Sequence, residues 1–142
     1  MVRQDLPGAG TVIRYAYLWS HEAKLGRTEG SKDRPAALVI AKRAEEGQCV
    51  VVPITHREPE APSIGIEVPP ELRTRLGLDG ERQWVVLTDV NTFQWPGPDL
   101  REVPGRDPAT FVYGTLTRAF FRDVLAHMQT LIRARRVTTT GR

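Results

Sequence analysis

With 142 residues, 40% hydrophobic and 26% charged, the chain has the size and composition of one soluble globular domain. A formal net charge of +3 and a pI near 9.4 give a mild basic bias, short of what an obligate duplex-DNA binder carries. No apolar run approaches the roughly 20 residues of a membrane span, and Met1-Val2-Arg3-Gln4-Asp5 lacks the basic start and apolar stretch of a signal peptide. The one cysteine, Cys49, sits inside an apolar run, so a buried, reduced thiol and a cytoplasmic location are expected.

Residues 11 to 19 alternate well enough for a first strand, reached through Pro7-Gly8-Ala9-Gly10. Residues 20 to 33 are polar, contain Gly26 and Gly30, show no hydrophobic period and read as a long loop. Apolar runs at 36 to 42 and 48 to 54 predict two strands joined by a hairpin turn at Glu45-Glu46-Gly47. After a proline-stiffened connection over 57 to 63, Ile64, Ile66 and Val68 alternate as a short strand. Pro69-Pro70-Glu71-Leu72 opens a short helix running to about Leu76, with Gly77 as its C-terminal cap and Asp79-Gly80 as a turn.

Residues 84 to 91 predict a fifth strand, and the prolines and glycines of 95 to 108 exclude regular structure. Phe111-Val112-Tyr113 is a short terminal strand. From Thr115 to Arg136 the apolar residues recur at three- and four-residue steps, predicting a long helix with Thr115 as N-cap and a basic C-terminal end. Residues 137 to 142 are expected to fray. The sum is a mainly β (α+β) fold: a small barrel with a short helix and a long C-terminal helix, with no repeat and no second domain.

The chemistry gathers where the two central runs begin and end. Arg34-Pro35 opens one strand and Thr55-His56 closes the next, so pairing of the two would bring a guanidinium, a hydroxyl and an imidazole to one rim. Arginine grips phosphate with a planar fork of donors that stays charged. A hydroxyl can orient an attacking or phosphate oxygen, and histidine is the usual proton carrier near neutral pH. Arg34, Thr55 and His56 are therefore the candidate catalytic residues for phosphodiester chemistry. Lys24, Arg27 and Lys32 in the loop, with Asn91 at the end of the fifth strand and Trp95 beyond it, are the candidate RNA-binding residues, Trp95 or Phe93 offering a ring for base stacking. His21 and His127 are weaker candidates. Without a CxxC pair, a close His pair or an acidic cluster at ligand spacing, no metal site and no cofactor are expected.

Arg34-Pro35 before an apolar strand, with Val52-Pro53-Ile54-Thr55 closing the next, resembles the PemK/MazF toxin family, chiefly over residues 9 to 56 and more weakly in Leu87-Thr88-Asp89-Val90-Asn91-Thr92-Phe93 and the C-terminal helix. The resemblance implies one SH3-like barrel domain over 1–142, usually a homodimer, acting as a growth-inhibiting endoribonuclease. Such a protein cuts single-stranded RNA without a metal and is silenced by an antitoxin protein. Arg34 and Thr55 would be its catalytic pair and a 2′,3′-cyclic phosphate its product. Loop 20 to 33 departs from the family pattern, in which an acidic or amide residue and several glycines precede Arg-Pro, and the proline-rich segment is long. Two other readings stand beside this one: a non-catalytic SH3-like module binding RNA or a peptide, and a cellular ribonuclease without an antitoxin.

Overall fold

The computed structural model describes residues 5–28, 30, 32–42 and 47–142. Its strands are β1 (Thr11–Tyr15), β2 (Arg34–Lys42), β3 (Gln48–Thr55), β4 (Gly65–Glu67), β5 (Trp84–Val86), β6 (Asp89–Gln94), β7 (Val112–Thr115) and β8 (Thr138–Gly141). Its helices are α1 (Ser20–Lys24), α2 (Pro70–Leu76) and α3 (Arg118–Arg133). The fold is mainly β, with a few helices. None of the helices is long and apolar enough to cross a membrane.

β3 organises the sheet. One edge pairs β2; the other is divided, β6 taking its start (Gln48 to Val51) and β5 its end (Ile54 and Thr55). The main path runs β4-β5-β3-β2-β1-β7 without closing into a ring, and all its pairings are antiparallel. β8 is the exception, joining β6 in parallel.

Successive strand residues face opposite sides of a sheet, and here both sides are covered. Ile13, Ala36, Leu38 and Val51 pack on one face, with Tyr15, Cys49, Phe93 and Leu100. Val12, Ala37, Val39 and Val52 pack on the other, under α2 and the stripe Phe120, Val124, Met128 and Leu131 of α3. Double-sided burial explains why 36–39 and 49–54 read as unbroken apolar runs. Burial also pushes the Cys49 thiol up to about 11, so it is protonated and unreactive at neutral pH.

Several sequence expectations need correction, among them the first strand, which ends at Tyr15 where residue 19 was expected, and two of the three residues of the hairpin turn fall outside the described residues. The segment expected to be loop from residue 20 contains α1, because Glu22 turns back to accept a hydrogen bond from the Trp19 backbone N–H (3.1 Å) and so caps one helical turn. The fifth strand is two: β5 and β6 serve different ends of β3, and the chain must bend at 87–88 to reach both. The long helix is capped by Thr117, whose Oγ1 accepts from the Phe120 N–H at 3.2 Å, because Thr115 is held in β7 opposite Thr11. Residues 138 to 141 form β8 where fraying was expected. Of the hairpin turn, Glu45 and Glu46 lie outside the described residues.

The helix stops three residues before Arg136, at Arg133. The Arg135 and Arg136 N–H groups bond back to the carbonyls of Ile132 (3.0 Å) and Leu131 (2.9 Å), and Arg135 takes φ of 56°. That is a Schellman termination with arginine in the left-handed position usually given to glycine. It turns the chain back toward β6. A non-glycine residue there costs about 1–2 kcal/mol, partly offset by the greater unfolded freedom of glycine. Arg135→Gly should therefore raise stability by about 0.5–1 kcal/mol in urea unfolding, and a loss would contradict the strain assigned to this turn.

Candidate functional site

The β2–β3 register pairs Ala36 with Pro53 and Ala37 with Val52. Carried two residues outward it sets Arg34 opposite Thr55, at the ~5 Å Cβ spacing of facing residues. β1 adds Tyr15 on the other side of Arg34. Three adjacent strands thus bring Arg34 to one rim, and the rim is where Thr55 and His56 end β3.

Arg34 is only 9% exposed, and its Nε is buried without a hydrogen-bond partner among the described residues. The Trp19 ring lies beneath its guanidinium, 5.2 Å from centroid to Cζ, an attraction that needs no hydrogen bond. Burial holds the Arg34 pKa below the ordinary arginine value, while the Glu22 carboxylate acts to raise it. Arginine nevertheless stays charged at neutral pH. Glu22 is itself buried, accepting from the Trp19 N–H and from Arg27 Nη1 (3.0 Å).

The Arg34–Thr55 pair, with Lys32, borders two clefts, one on each side. The first, about 480 Å³, also receives Trp19, His21, Glu22 and Arg57. There Trp19 and His21 stack with ring centroids 6.2 Å apart. Its cations Lys32, Arg34 and Arg57 are matched in number by Glu22, Glu58 and Glu60. The second, about 320 Å³, holds Arg14, Lys32 and Arg34 against Asp33 and Asp79, so the positive excess lies on this side. His56 borders the second cleft, its Nε2 2.7 Å from Asp79 Oδ2. Thr55 Oγ1 accepts from the Arg57 N–H (3.3 Å), a local turn contact that fixes the hydroxyl.

Of the residues singled out from the sequence, Arg34, Thr55, His56 and Lys32 converge. Lys24 is exposed on α1 and borders neither cleft, and Arg27 is held by Glu22 in a different depression beside Asp99 and Arg142. Trp95 lies beyond the other end of β3, where its N–H bonds the Gly47 carbonyl; eight strand residues place it about 25 Å from Thr55. Asn91 has no exposed surface: its amide bonds both the N–H (3.0 Å) and the C=O (2.7 Å) of Leu18 and accepts from Arg142 (3.1 Å). Asn91 therefore holds the backbone that carries Trp19, and cannot reach a ligand. Trp19, Glu22 and Arg57 are additions. The Trp19-Ser20-His21-Glu22 run carried the signal for the first two, an aromatic before a short capped turn.

Comparison with protein-family models, with curated proteins and with solved structures gives no match for this chain.

Asn91→Ala leaves two buried Leu18 backbone groups and the Arg142 guanidinium short of a partner. It should destabilise the protein by about 2–3 kcal/mol in urea unfolding, against under about 0.5 kcal/mol for an exposed position such as Gln94→Ala.

Proposed function

We propose that the protein is a metal-independent endoribonuclease of the PemK/MazF type, acting on single-stranded RNA. The observation that carries this reading is Arg34: a buried guanidinium whose Nε has no hydrogen-bond partner among the described residues, on the rim of two clefts, opposite a hydroxyl. Such a group is suited to an anionic oxygen, and a phosphodiester supplies one.

In this mechanism Arg34 binds the non-bridging oxygens of the scissile phosphate and stabilises the charge that grows on them. Thr55 orients the same group from the facing strand. The 2′-hydroxyl attacks the adjacent phosphorus as its proton passes to Glu22 in the first cleft. The bond from phosphorus to the 5′-oxygen breaks, and His56, steadied by Asp79, donates a proton to the departing oxygen from the second cleft. The products are a 2′,3′-cyclic phosphate and a 5′-hydroxyl. Trp19 and His21 offer a stacking surface for a neighbouring base.

The finer fold that goes with this reading is an SH3-like barrel, supported by the bent sheet around β3 with α3 packed on one face. A growth-inhibiting role in the cytoplasm, an antitoxin protein as partner and a homodimer belong to the same proposal. The antitoxin would act by covering the clefts on either side of Arg34.

The decisive assay is cleavage of a long unstructured RNA in EDTA. Wild type should cut it and leave the equivalent single-stranded DNA intact, since DNA lacks the attacking hydroxyl. Arg34→Ala should lose about 100- to 1,000-fold, the usual effect of deleting one preorganised charge-stabilising donor. Thr55→Val and Glu22→Gln should lose less than Arg34→Ala but be measurably slower than wild type. Circular dichroism must show matched folds. Equal cutting by wild type and Arg34→Ala would remove Arg34 from the chemistry. Failure of both to cut would leave the non-catalytic binding module as the better reading.

A further inference from the structure

We propose that His56, Asp79 and Glu81 form a binding site for one divalent transition-metal ion of the zinc class. Their donor atoms come from two separate stretches of chain, the end of β3 and the turn between α2 and β5, yet all lie within 4.8 Å of one another. His56 Nε2 is 2.7 Å from Asp79 Oδ2 and 3.8 Å from Glu81 Oε2. Two donors on one tetrahedral zinc ion, each about 2.0–2.1 Å from it, stand roughly 3.3 Å apart, between those two separations. Closing the set on an ion requires the His56–Asp79 donors to part by about 0.6 Å and Glu81 Oε2 to approach His56 Nε2 by about 0.5 Å.

The immediate charge balance of the three groups favours a cation, against the wider positive excess of the second cleft. Two carboxylates face a single imidazole, which at most brings one positive charge against two negative ones. Asp79 is also oriented from behind: its Oδ1 accepts from the Glu81 N–H (3.1 Å) and from Gln83 Nε2 (3.2 Å), leaving Oδ2 for His56. Gln83 is 2% exposed, so this support belongs to the rigid part of the fold. Outer partners of this kind fix the orientation of a metal-binding carboxylate. One nitrogen and two oxygen donors suit zinc and its first-row neighbours, whereas magnesium and calcium take oxygen donors. Three protein donors leave a fourth position open, and two of the donors, His56 and Asp79, line the second cleft together with Thr55 and Arg34.

An ion held there occupies the imidazole nitrogen and ties β3 to the α2–β5 turn. Binding is independent of the ribonuclease reading. Where that reading also holds, the ion withdraws the proton donor assigned to the leaving oxygen and slows cleavage.

The experiment is isothermal titration of zinc chloride into the purified, chelator-treated protein, with no RNA present. One ion per chain should bind in the micromolar range and raise the unfolding temperature. His56→Ala should weaken binding by about tenfold or more, and Glu81→Gln, at a position too exposed to affect folding, should weaken it as well. His127→Ala, on the outer face of α3, should bind as wild type does. Undetectable binding at millimolar zinc, or binding that His56→Ala and Glu81→Gln leave unchanged, would overturn the site. Zinc binding with no effect on an active enzyme would retain the site and reject His56 as proton donor. Zinc binding to a protein that never cuts RNA would reject the ribonuclease reading alone.

Discussion

Because Asn91 is wholly buried, each donor and acceptor of its amide needs a protein partner, and the Leu18 peptide supplies two of them. The same strand sends Asp89 to the Tyr17 hydroxyl at 2.6 Å and to the Ser20 N–H at 3.2 Å. β6 thereby holds the stretch from residue 17 to residue 20 at three points, none of them hydrophobic and therefore each directional. That stretch leaves β1 where the strand could simply have run on into solvent. Pinned as it is, it lays Trp19 against Arg34 and starts α1 so that Glu22 turns inward. Arg142 reinforces the arrangement from β8, with a 2.9 Å ion pair to Asp99 and bonds to the Ala16 carbonyl and Asn91. Its side chain is 3% exposed, so these contacts are made in a low-dielectric setting where they are stronger and their loss more costly.

The same framework decides the electrostatic state of Arg34. A buried cation is tolerated when its charge is answered nearby. Here the answer is distributed: the Trp19 π face at one side and a Glu22 carboxylate already engaged by Trp19 and Arg27 at the other. A direct bidentate Arg34–carboxylate pair would neutralise the guanidinium more completely and leave it little affinity for anything else. Committing Glu22 to other donors keeps it close enough to hold the cation in place without consuming its hydrogen-bonding fork. The Arg27–Glu22 pair, which looks like an ordinary surface salt bridge, thus helps set the availability of Arg34.

Much of this was legible in the sequence because strand geometry is nearly deterministic over short distances. Two apolar runs joined by a short turn imply an antiparallel ladder, and a ladder in which Ala36 faces Pro53 necessarily has Arg34 facing Thr55. The register shift between Leu38 and Ile40 lies between the turn and the rim; the Lys42–Gln48 register carried outward without it would set Arg34 opposite His56, so the Arg34–Thr55 pairing depends on that shift. What the sequence hid depends on partners far away along the chain. Asn91 reads as a polar strand-end residue, and only the path of residues 16–20, some seventy positions earlier, makes it a buried clamp. The threonines of β8 have no apolar period to announce a strand; their conformation comes from the ladder to β6 and the anchored Arg142. The left-handed turn at Arg135 is equally silent, since the usual glycine signal is absent. Trp95 misled for the opposite reason: its position just after a strand was right, but β6 runs antiparallel to β3 and carries it to the wrong end.

On the ribonuclease proposal, the placement of groups around Arg34 would meet a requirement of phosphoryl displacement. Attacking and leaving oxygens stand roughly in line on opposite sides of phosphorus, so one residue cannot serve both proton transfers from a fixed position. A site on a flat sheet face would have to crowd acid and base together. Here the Arg34–Thr55 rim separates two clefts, with Glu22 in one and His56 in the other. The separation comes from the divided edge of β3: β5 takes Thr55 as a ladder partner, and the chain beyond it turns His56 toward Asp79 while α1 brings Glu22 from the opposite side. The surplus of positive charge on the His56 side would draw the phosphate against that wall. Under that proposal, charge and topology would lead a strand of RNA across the rim with the nucleotide bearing the attacking hydroxyl in the cleft of Trp19 and Glu22.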